Sequence, residues 1–293
     1  MSEGELRVVV PARNQVGESP VWSTAEQALY WVDVEGRRIE RFHPATETYR
    51  QWPMPEAIGS IGLRATGGLV AAIRTGFVLV DTRSGTLTPI GDPESDRADT
   101  RFNDGKVDRR GRFWAGTRNF RDHSRADGAL YRLDPDRSIH RVIEGLRCPN
   151  GIAWSPDGRT MYLCDTWIRR IFVFDFDSEE GVPRNRRLFA ELTGEQGYPD
   201  GLTVDSEGFV WNAHYDGWRI TRYAADGRVD RAVALPVQHV TSVTFGGSDL
   251  RTLFVTSAGM RLSDAQRAAQ PEAGNLFALQ VEVPGVPEPA FAG

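Results

Sequence analysis

One short pattern recurs along the chain, and its spacing constrains the fold more than any other feature. The clearest copy is Pro199–Val204, with the sequence PDGLTV, in which a loop passes into an alternating strand. Similar segments return at intervals of about 40 to 50 residues, and each is followed by a strand rich in aromatic or aliphatic residues. This interval is typical of one four-stranded blade of a β-propeller. Six such copies therefore predict an all-β chain folded as a six-bladed β-propeller.

The repeat also predicts a ring of equivalent residues. The first strand of every propeller blade lines the central channel, so aligned positions in these strands surround one axis. Two carboxylates and two amides occupy the aligned position, whereas a purely structural repeat would tend to place similar residues there. We therefore expect a functional site on the axis. The aligned residues are Glu18, Gly59, Asn103, Asn150, Asp200 and Thr241.

Because the repeat is unbroken, we expect one domain over residues 1–293. The segment 6–11 has strand character and precedes the first repeat. We expect it to pair with the segment near 276–283, which would close the last blade and remove an exposed edge. A helical insertion is predicted over Ser263–Ala269. The tail from Pro284 is rich in proline and glycine, and we expect it to be loosely held.

Composition excludes several classes of partner. The formal charge of −5 comes without a basic stripe, which argues against nucleic-acid binding. No segment is apolar enough to span a membrane, and the first residues lack the apolar core of a signal peptide. Two cysteines cannot build a disulfide framework and fit a reduced compartment. We therefore expect a cytoplasmic protein, monomeric or weakly dimeric, that binds neither nucleic acid nor membrane.

The ring residues have the chemistry of a metal site. Glu18, Asn150 and Asp200 offer only oxygen ligands, which suit Ca²⁺, Mg²⁺ or Mn²⁺, and the ring contains no histidine or cysteine for zinc. Polar residues also cap strand starts, but facing carboxylates would repel each other without a cation. We predict one divalent cation on these three ligands, with Ca²⁺ expected and Mg²⁺, Mn²⁺ or Zn²⁺ as alternatives. Three protein ligands leave room for water or substrate.

Several segments resemble the SMP-30/gluconolactonase/regucalcin family of six-bladed propellers, and the resemblance covers the chain from about residue 17 to residue 283. The segments that match in order and spacing are Gly17–Trp22, Arg101–Asp108, Gly111–Thr117 and Pro199–Gly201. The resemblance implies a metal-dependent lactonase that opens a sugar lactone to the aldonic acid. It also implies the same three metal ligands as the ring argument.

The resemblance further implies that Arg101 and Asn103 contact the substrate. Several members have a glutamate at a third substrate position, where this chain has Arg121. This departure leaves the sugar preference open. An arginine there would favour a substrate with an anionic group, or would turn outward to solvent.

For the reaction, Asp200 is the expected general base, since it lies beside the metal. Asp104 is a second candidate, but strand alternation predicts that its side chain points away from the axis. Two other functions stay open. One is another metal-dependent esterase or phosphotriesterase-like hydrolase on the same architecture, and the other is a non-catalytic calcium-binding propeller.

Overall fold

The computed structural model describes residues 4–293 and contains six four-stranded antiparallel sheets. In chain order, β1 (Arg7–Val10) is followed by blade 1, with β2 (Gly17–Ser23), β3 (Ala28–Asp33), β4 (Arg38–His43) and β5 (Thr48–Pro53); blade 2, with β6 (Ile58–Leu63), β7 (Leu69–Ile73), β8 (Gly76–Val80) and β9 (Leu87–Gly91); and blade 3, with β10 (Thr100–Val107), β11 (Phe113–Asn119), β12 (Gly128–Leu133) and β13 (Ile139–Leu146).

The second half repeats the arrangement and adds three short helical segments. Its elements are blade 4, with β14 (Pro149–Trp154), β15 (Thr160–Asp165), β16 (Arg170–Asp177) and β17 (Val182–Glu191); blade 5, with β18 (Tyr198–Val204), β19 (Val210–Tyr215), β20 (Arg219–Tyr223) and β21 (Val229–Ala234); blade 6, with β22 (Val240–Gly246), β23 (Thr252–Ser257) and β24 (Leu276–Gln280); the helix α1 (Asp264–Ala269); and 3₁₀ turns at Thr166–Ile168 and Gly194–Gln196. This architecture confirms the six-bladed β-propeller predicted from the repeat.

The N-terminal strand completes the last blade. The strand β1 pairs antiparallel with β24, with Arg7 opposite Ala278 and Val8 opposite Phe277. The sixth sheet therefore has the order β1-β24-β23-β22, as expected for the segment 6–11. Closure by the first strand gives this blade four strands like the others and ties the two ends of the chain together.

Each innermost strand contains an irregularity at the level of the ring. The pairing register between the first and second strand of every blade shifts within two or three residues of the ring position. Such bulges bend a strand locally and redirect its side chains. The backbones also come close together here: a Cβ on Gly59 would lie 2.3 Å from the carbonyl oxygen of Asn103 in the next blade. The bulges therefore decide which side chains face the axis.

Large aromatic residues fill the space between the sheets, and several of the most buried ones form hydrogen bonds through their polar atoms. The most buried of them include Trp31, Trp114 and Trp211, which lie in the second strands of blades 1, 3 and 5. The indole nitrogens of Trp114 and Trp211 donate hydrogen bonds of 2.8 and 2.9 Å to Asp108 and Asp205. These carboxylates follow the innermost strands, so they stabilise the blades without reaching the channel.

The tail from Pro284 differs from the expectation of a loosely held segment. Phe291 is fully buried in the core between blades 2 and 3, and its backbone forms hydrogen bonds with Leu63 and Ala65 of blade 2. Glu288 forms a 2.7 Å ion pair with Lys106 of β10. The tail is held because one aromatic side chain and one carboxylate anchor a segment whose remaining residues are rich in proline and glycine.

The helical insertion follows the sequence prediction. Ser263 caps α1 by accepting a hydrogen bond of 3.3 Å from the backbone nitrogen of Gln266. Among residues 4–293, no helix has the length and apolar character needed to cross a lipid bilayer.

Candidate active site in the central channel

The six aligned residues line a single cavity on the axis. The cavity has an empty volume of about 650 Å³, which includes solvent at its mouth. Because each residue comes from a different blade, the register deduced from the repeat places them together as expected. The ring residues that line the cavity are Glu18, Gly59, Asn103, Asn150, Asp200 and Thr241.

The three candidate metal ligands are buried, and two of their oxygens lack partners. Glu18, Asn150 and Asp200 are 7%, 5% and 5% exposed. Neither Oδ1 of Asn150 nor Oδ1 of Asp200 has a hydrogen-bond partner among residues 4–293. The amide nitrogen of Asn150 donates a 3.1 Å hydrogen bond to Oγ1 of Thr166, which fixes the amide and leaves its oxygen without a donor. Unsatisfied buried acceptors are costly, so these oxygens fit a ligand that accepts electron pairs.

The electrostatics of the ring point the same way. Burial raises the pKa of Glu18 well above its usual range, and the nearby carboxylates of Asp200 and Asp104 raise it further. Burial, and then Asp104, also raise the pKa of Asp200 well above its usual range. No lysine, arginine or histidine among residues 4–293 forms an ion pair with Glu18, Asp104 or Asp200. A bound cation would remove both the repulsion and the desolvation cost.

The donor set fits a hard cation better than zinc. Residues 4–293 contain no group of three or more histidine, cysteine, aspartate and glutamate side chains arranged to hold a metal. The candidate set instead combines the Glu18 and Asp200 carboxylates with the Asn150 amide, and amide oxygens are ligands typical of Ca²⁺. The nearest cysteine in the cavity wall, Cys148, is buried, and burial raises the pKa of its thiol to about 12.

Asp104 corrects one expectation about orientation. Strand alternation predicted that its side chain points away from the axis, but Asp104 lines the same cavity as the ring. The pairing of β10 with β11 shifts register between Phe102 and Gly105, so simple alternation does not apply at this position. Burial raises the pKa of Asp104 to about 6, although a hydrogen bond from the Gly105 backbone nitrogen opposes the change.

Arg101 and Asn103 both reach the cavity, and both already have protein partners. Arg101 is 8% exposed and donates a 2.9 Å hydrogen bond to Oε1 of Glu35 at the rim. Burial, and then the neighbouring Arg118, lower the pKa of Arg101 to about 10. Asn103 accepts a 3.2 Å hydrogen bond from Nε of Arg118 and donates one of 3.0 Å to the carbonyl oxygen of Pro149. Asn103 thus connects blades 3 and 4 and orients an arginine.

The structure does not bring Arg121 to this cavity. Its side chain is 67% exposed and forms a 2.7 Å ion pair with Asp99. Arg118, which the sequence analysis did not select, lines the cavity instead. Arg118 lies directly opposite Arg101 in the pairing of β10 with β11, so both side chains share one face of the sheet. The pairing register of β10 with β11 therefore identifies Arg118 as a cavity residue, once the ends of the two strands are known.

Aromatic residues and a further arginine complete the wall. Trp167 lines the cavity and stacks on His123, with ring centroids 4.8 Å apart. Tyr215 lines it as well and stacks on His239 at 4.3 Å. Arg261 lies exposed at the mouth of the cavity. Aromatic faces together with charged groups are typical of sites for small polar molecules.

Fold and cavity together define a six-bladed β-propeller with a cavity on its axis that is lined by carboxylate and amide oxygens. The chain belongs to the SMP-30/gluconolactonase/LRE-like family, whose sequence profile matches residues 16–259. It is 39% identical to the 6-deoxy-6-sulfogluconolactonase of Pseudomonas putida, over 98% of this chain and 99% of that protein. It is 36% identical to the L-arabinolactonase of Azospirillum brasilense, over 99% of this chain and 96% of that protein.

A solved structure resembles nearly the whole chain. The calcium-binding protein regucalcin from Agrobacterium tumefaciens superposes with a TM-score of 0.94 at 30% sequence identity, covering 98% of this chain and 97% of that one. The likeness therefore extends over the complete propeller, including both ends of the channel.

Proposed function

We propose that this protein hydrolyses a sugar lactone to the corresponding aldonic acid with the help of one divalent cation. The observation that carries the proposal is the pair of orphaned oxygens on Asn150 and Asp200, which lie with Glu18 in one open cavity on the axis. The names of two relatives support the reaction, since both specify lactonases. Those two names specify different lactones, so they do not decide the substituents of the substrate.

Glu18, Asn150 and Asp200 would hold the cation, and Ca²⁺ is the expected ion because the ligands are two carboxylates and an amide. When bound, such a cation polarises carbonyl oxygens and lowers the pKa of bound water. Thr166 and Ser19 support this set: the Thr166 hydroxyl orients the Asn150 amide, and the Ser19 backbone nitrogen donates a 2.8 Å hydrogen bond to Oε2 of Glu18. These contacts hold the oxygens in place before any ligand binds.

The chemical step is the addition of water to the lactone carbonyl carbon, followed by cleavage of the bond between that carbon and the ring oxygen. Asp200 is the proposed general base, which takes a proton from the attacking water. The proton then passes to the departing ring oxygen, which becomes a hydroxyl group. Asp104 is a second base candidate, because it lies in the same cavity and burial raises its pKa to about 6.

Arg101 and Asn103 are the proposed substrate-positioning residues. Arg101 lies in the wall of the cavity with its guanidinium fixed by Glu35, so its remaining N–H groups are oriented before the sugar arrives. Sugar hydroxyls are good acceptors for such donors, and oriented donors reduce the entropy lost on binding. Arg121 has no part in this proposal because it lies outside the cavity.

A non-catalytic calcium-binding propeller is the second candidate, since the Agrobacterium tumefaciens neighbour is described as calcium-binding. The discriminating experiment is the hydrolysis of a panel of aldonolactones after chelation and after addition of single cations. We expect acid release above the spontaneous rate that disappears with chelator and returns with one cation. Tight cation binding without hydrolysis of any lactone would favour the second candidate.

Variants test whether the lactonase activity depends on the ring residues. Asp200→Ala should lower kcat/KM by about 100-fold or more and weaken cation binding, as expected for loss of a ligand and base. Glu47→Gln is a suitable control because Glu47 is exposed, lies in a turn of blade 1 and has no ion pair among residues 4–293. An Asp200→Ala protein that keeps both its activity and its cation affinity would refute the proposed ligand set.

A further inference from the structure

The cavity wall carries positively charged side chains, besides its four carboxylates, that the hydrolysis itself does not explain. Three arginines line the cavity: Arg101, Arg118 and Arg261. Arg101 pairs with Glu35, but neither Arg118 nor Arg261 has a carboxylate within ion-pair distance anywhere in residues 4–293. Polar sugar hydroxyls can be bound by neutral amides and hydroxyl groups, so unpaired guanidinium groups call for a separate reason.

Arg118 is the most informative of the three because it is buried. Its residue is 9% exposed, and it lies directly opposite Arg101 in the pairing of β10 with β11. Like charges directly opposite each other in a sheet destabilise it. Glu35 is the one carboxylate that forms an ion pair with either arginine within residues 4–293, and Arg118 acts on the carboxylate of Asp200 without forming an ion pair. Repulsion between like charges that persists in a folded protein marks a candidate site for a charged ligand.

The hydrogen bonds of Arg118 hold it in place while leaving a donor free. Its Nε donates to Oδ1 of Asn103 at 3.2 Å, and its Nη1 lies 3.4 Å from Nε2 of His123. Its Nη2 has no hydrogen-bond partner among residues 4–293. The guanidinium is therefore oriented by neutral groups only, and it retains its full charge and free N–H groups for a ligand.

His123 indicates where the three positive charges converge. Burial lowers the pKa of His123, and Arg118, Arg261 and Arg101 lower it further, in that order. The imidazole therefore stays neutral at physiological pH, stacked on Trp167. Three guanidinium groups therefore act on the region around His123, whose imidazole and the Trp167 indole are neutral and flat, and this arrangement suits an anionic substituent next to a sugar ring.

We infer that the substrate is a sugar lactone bearing a negatively charged group, and that Arg118 and Arg261 bind this group. The claim that the substrate is a lactone rests on the proposed function. The claim that the cavity prefers an anionic ligand rests on the arginines alone. Carboxylate, phosphate and sulfonate groups share the required chemistry, because each presents oxygens that accept two hydrogen bonds from one guanidinium. Arg118 and Arg261 are thus specificity-determining residues.

The primary test measures binding without hydrolysis. Isothermal titration calorimetry compares 1,5-anhydroglucitol with its 6-phosphate, two ring analogues that lack the reactive carbonyl, on the calcium-loaded protein. We expect the phosphate to bind at least about tenfold more tightly, and we expect Arg118→Gln to remove most of that preference. The Arg261→Gln variant should remove a smaller part, because Arg261 is exposed to solvent.

Several outcomes would overturn the inference. Equal affinity for the two analogues would show that the cavity does not select for charge. A preference that both Arg118→Gln and Arg261→Gln leave intact would place the phosphate elsewhere, for example on the cation. Arg187→Gln is the matched control. Arg187 is half exposed and pairs with Asp175 in an outer strand, so its substitution removes the same charge from the protein far from the cavity.

Kinetics distinguish a failure of this inference from a failure of the proposed function. The substrates are glucono-lactone and its 6-phosphate, 6-carboxylate and 6-sulfonate counterparts, and the readout is the ratio of kcat/KM for each charged lactone to that for the neutral one. We expect a ratio above about 10 that Arg118→Gln lowers by about tenfold or more. The three charged lactones identify which anionic group is preferred.

The remaining outcomes separate the two proposals. If Arg118 only positions Asn103, Arg118→Gln would lower kcat/KM on neutral and charged lactones alike, and the ratio would not change; that result would overturn the inference and leave the lactonase proposal standing. If no lactone is hydrolysed while the phosphate analogue binds with a preference that depends on Arg118, the charge selectivity stands and the lactonase proposal fails.

Discussion

The two ends of the central channel are built by the same six strands, yet they treat charge in opposite ways. At the ring end, Glu18, Asp104 and Asp200 lie together, and within residues 4–293 none of them forms an ion pair, although Arg118 lowers the pKa of Asp200. At the other end, Lys106, the only lysine of the chain, meets Glu288 from the tail at 2.7 Å. The ring-end carboxylates Glu18, Asp104 and Asp200 therefore lack ion pairs within the described residues, as the proposed cation site requires, whereas the other end neutralises its charges within the chain.

The end of the channel that contains Lys106 shows how buried charges can be neutralised by the chain itself, without a ligand. Lys106 and Glu288 line a cavity of about 390 Å³ together with apolar residues of the innermost strands. The hydroxyl groups of Thr203 and Thr244 lie 3.5 Å from the two charged partners and add weak polar contacts. Asp104 lines both cavities and separates the paired charges from the unpaired ones. Uncompensated charge near a cavity, rather than buried charge as such, distinguishes the end at which we propose the active site.

The largest expected effect comes from neutralising the ring. Glu18→Gln should weaken Ca²⁺ binding by about 100-fold and so abolish most of the stabilisation that added cation provides. In chelator, the same variant should be more stable than the wild type by about 1–2 kcal/mol, because a buried charge and its repulsion are removed. Thermal unfolding with chelator and with increasing Ca²⁺ measures both effects. A variant that is less stable in chelator and still stabilised by Ca²⁺ would contradict the comparison.

A glutamate-to-glutamine substitution at the other end of the channel should change the free energy of unfolding in the opposite direction. Glu288→Gln leaves Lys106 without its carboxylate, and we expect the free energy of unfolding to fall by about 2 kcal/mol; this is less than for a fully buried pair because solvent reaches Lys106. Urea unfolding with and without Ca²⁺ should give the same loss. The double variant Lys106→Met with Glu288→Gln should recover part of the stability. Unchanged stability of Glu288→Gln would mean that the ion pair does not help to hold the tail, which would then depend on Phe291 and on backbone hydrogen bonds.

The ring could be predicted from the sequence because repetition converts a linear pattern into a spatial one. Six weakly similar segments define a common register, and that register places Glu18, Asn150 and Asp200 together without knowledge of any contact. The N-terminal strand could be paired for the same reason, since a propeller blade that lacks one strand has an exposed edge. These inferences depend on topology, which the repeat encodes several times over.

The orientations of single side chains could not be predicted in this way. Asp104 faces the axis because a bulge interrupts the alternation of β10, and bulges leave no clear mark in one sequence. Arg118 and Arg121 differ in sequence position by three residues, but only the first lies within the strand that reaches the cavity. The anchoring of the tail depends on Phe291, a single aromatic residue in a segment whose composition favours a loose chain.

The pH dependence of stability should show a smaller effect, which distinguishes protonation of the ring carboxylates from protonation of a histidine near the ring. His214 lies opposite Pro199, next to the ring position of blade 5, but it does not line the cavity. Its Nδ1 lies 2.9 Å from the carbonyl oxygen of Gln196, and Nε2 lies 3.4 Å from the hydroxyl of Tyr223. Burial is the main reason that the pKa of His214 is lowered from 6.5 to about 4, so the native state holds a neutral imidazole.

The sign of this pH dependence is opposite to that of the ring carboxylates. Because the pKa of His214 is lower in the folded state, its contribution to stability is present above pH 6.5 and is lost as the pH falls towards about 4. The raised pKa values of Glu18 and Asp200 instead make the cation-free protein more stable as the pH falls. In a cation-loaded protein the ring contribution is suppressed, so the His214 contribution should dominate between these pH values.

Replacing His214 tests this assignment. His214→Asn keeps an N–H group near the Gln196 carbonyl but cannot gain a proton, so the loss of stability between pH 7 and pH 5 should shrink by about 1–2 kcal/mol relative to the wild type. Urea unfolding at the two pH values, with saturating Ca²⁺, gives this difference independently of any constant cost of the substitution. An unchanged pH dependence would mean that the ring carboxylates are the groups that titrate at this end of the channel, even when the cation is bound. The difference between the two ends of the channel, one with paired and one with unpaired charges, would then persist in the cation-loaded protein.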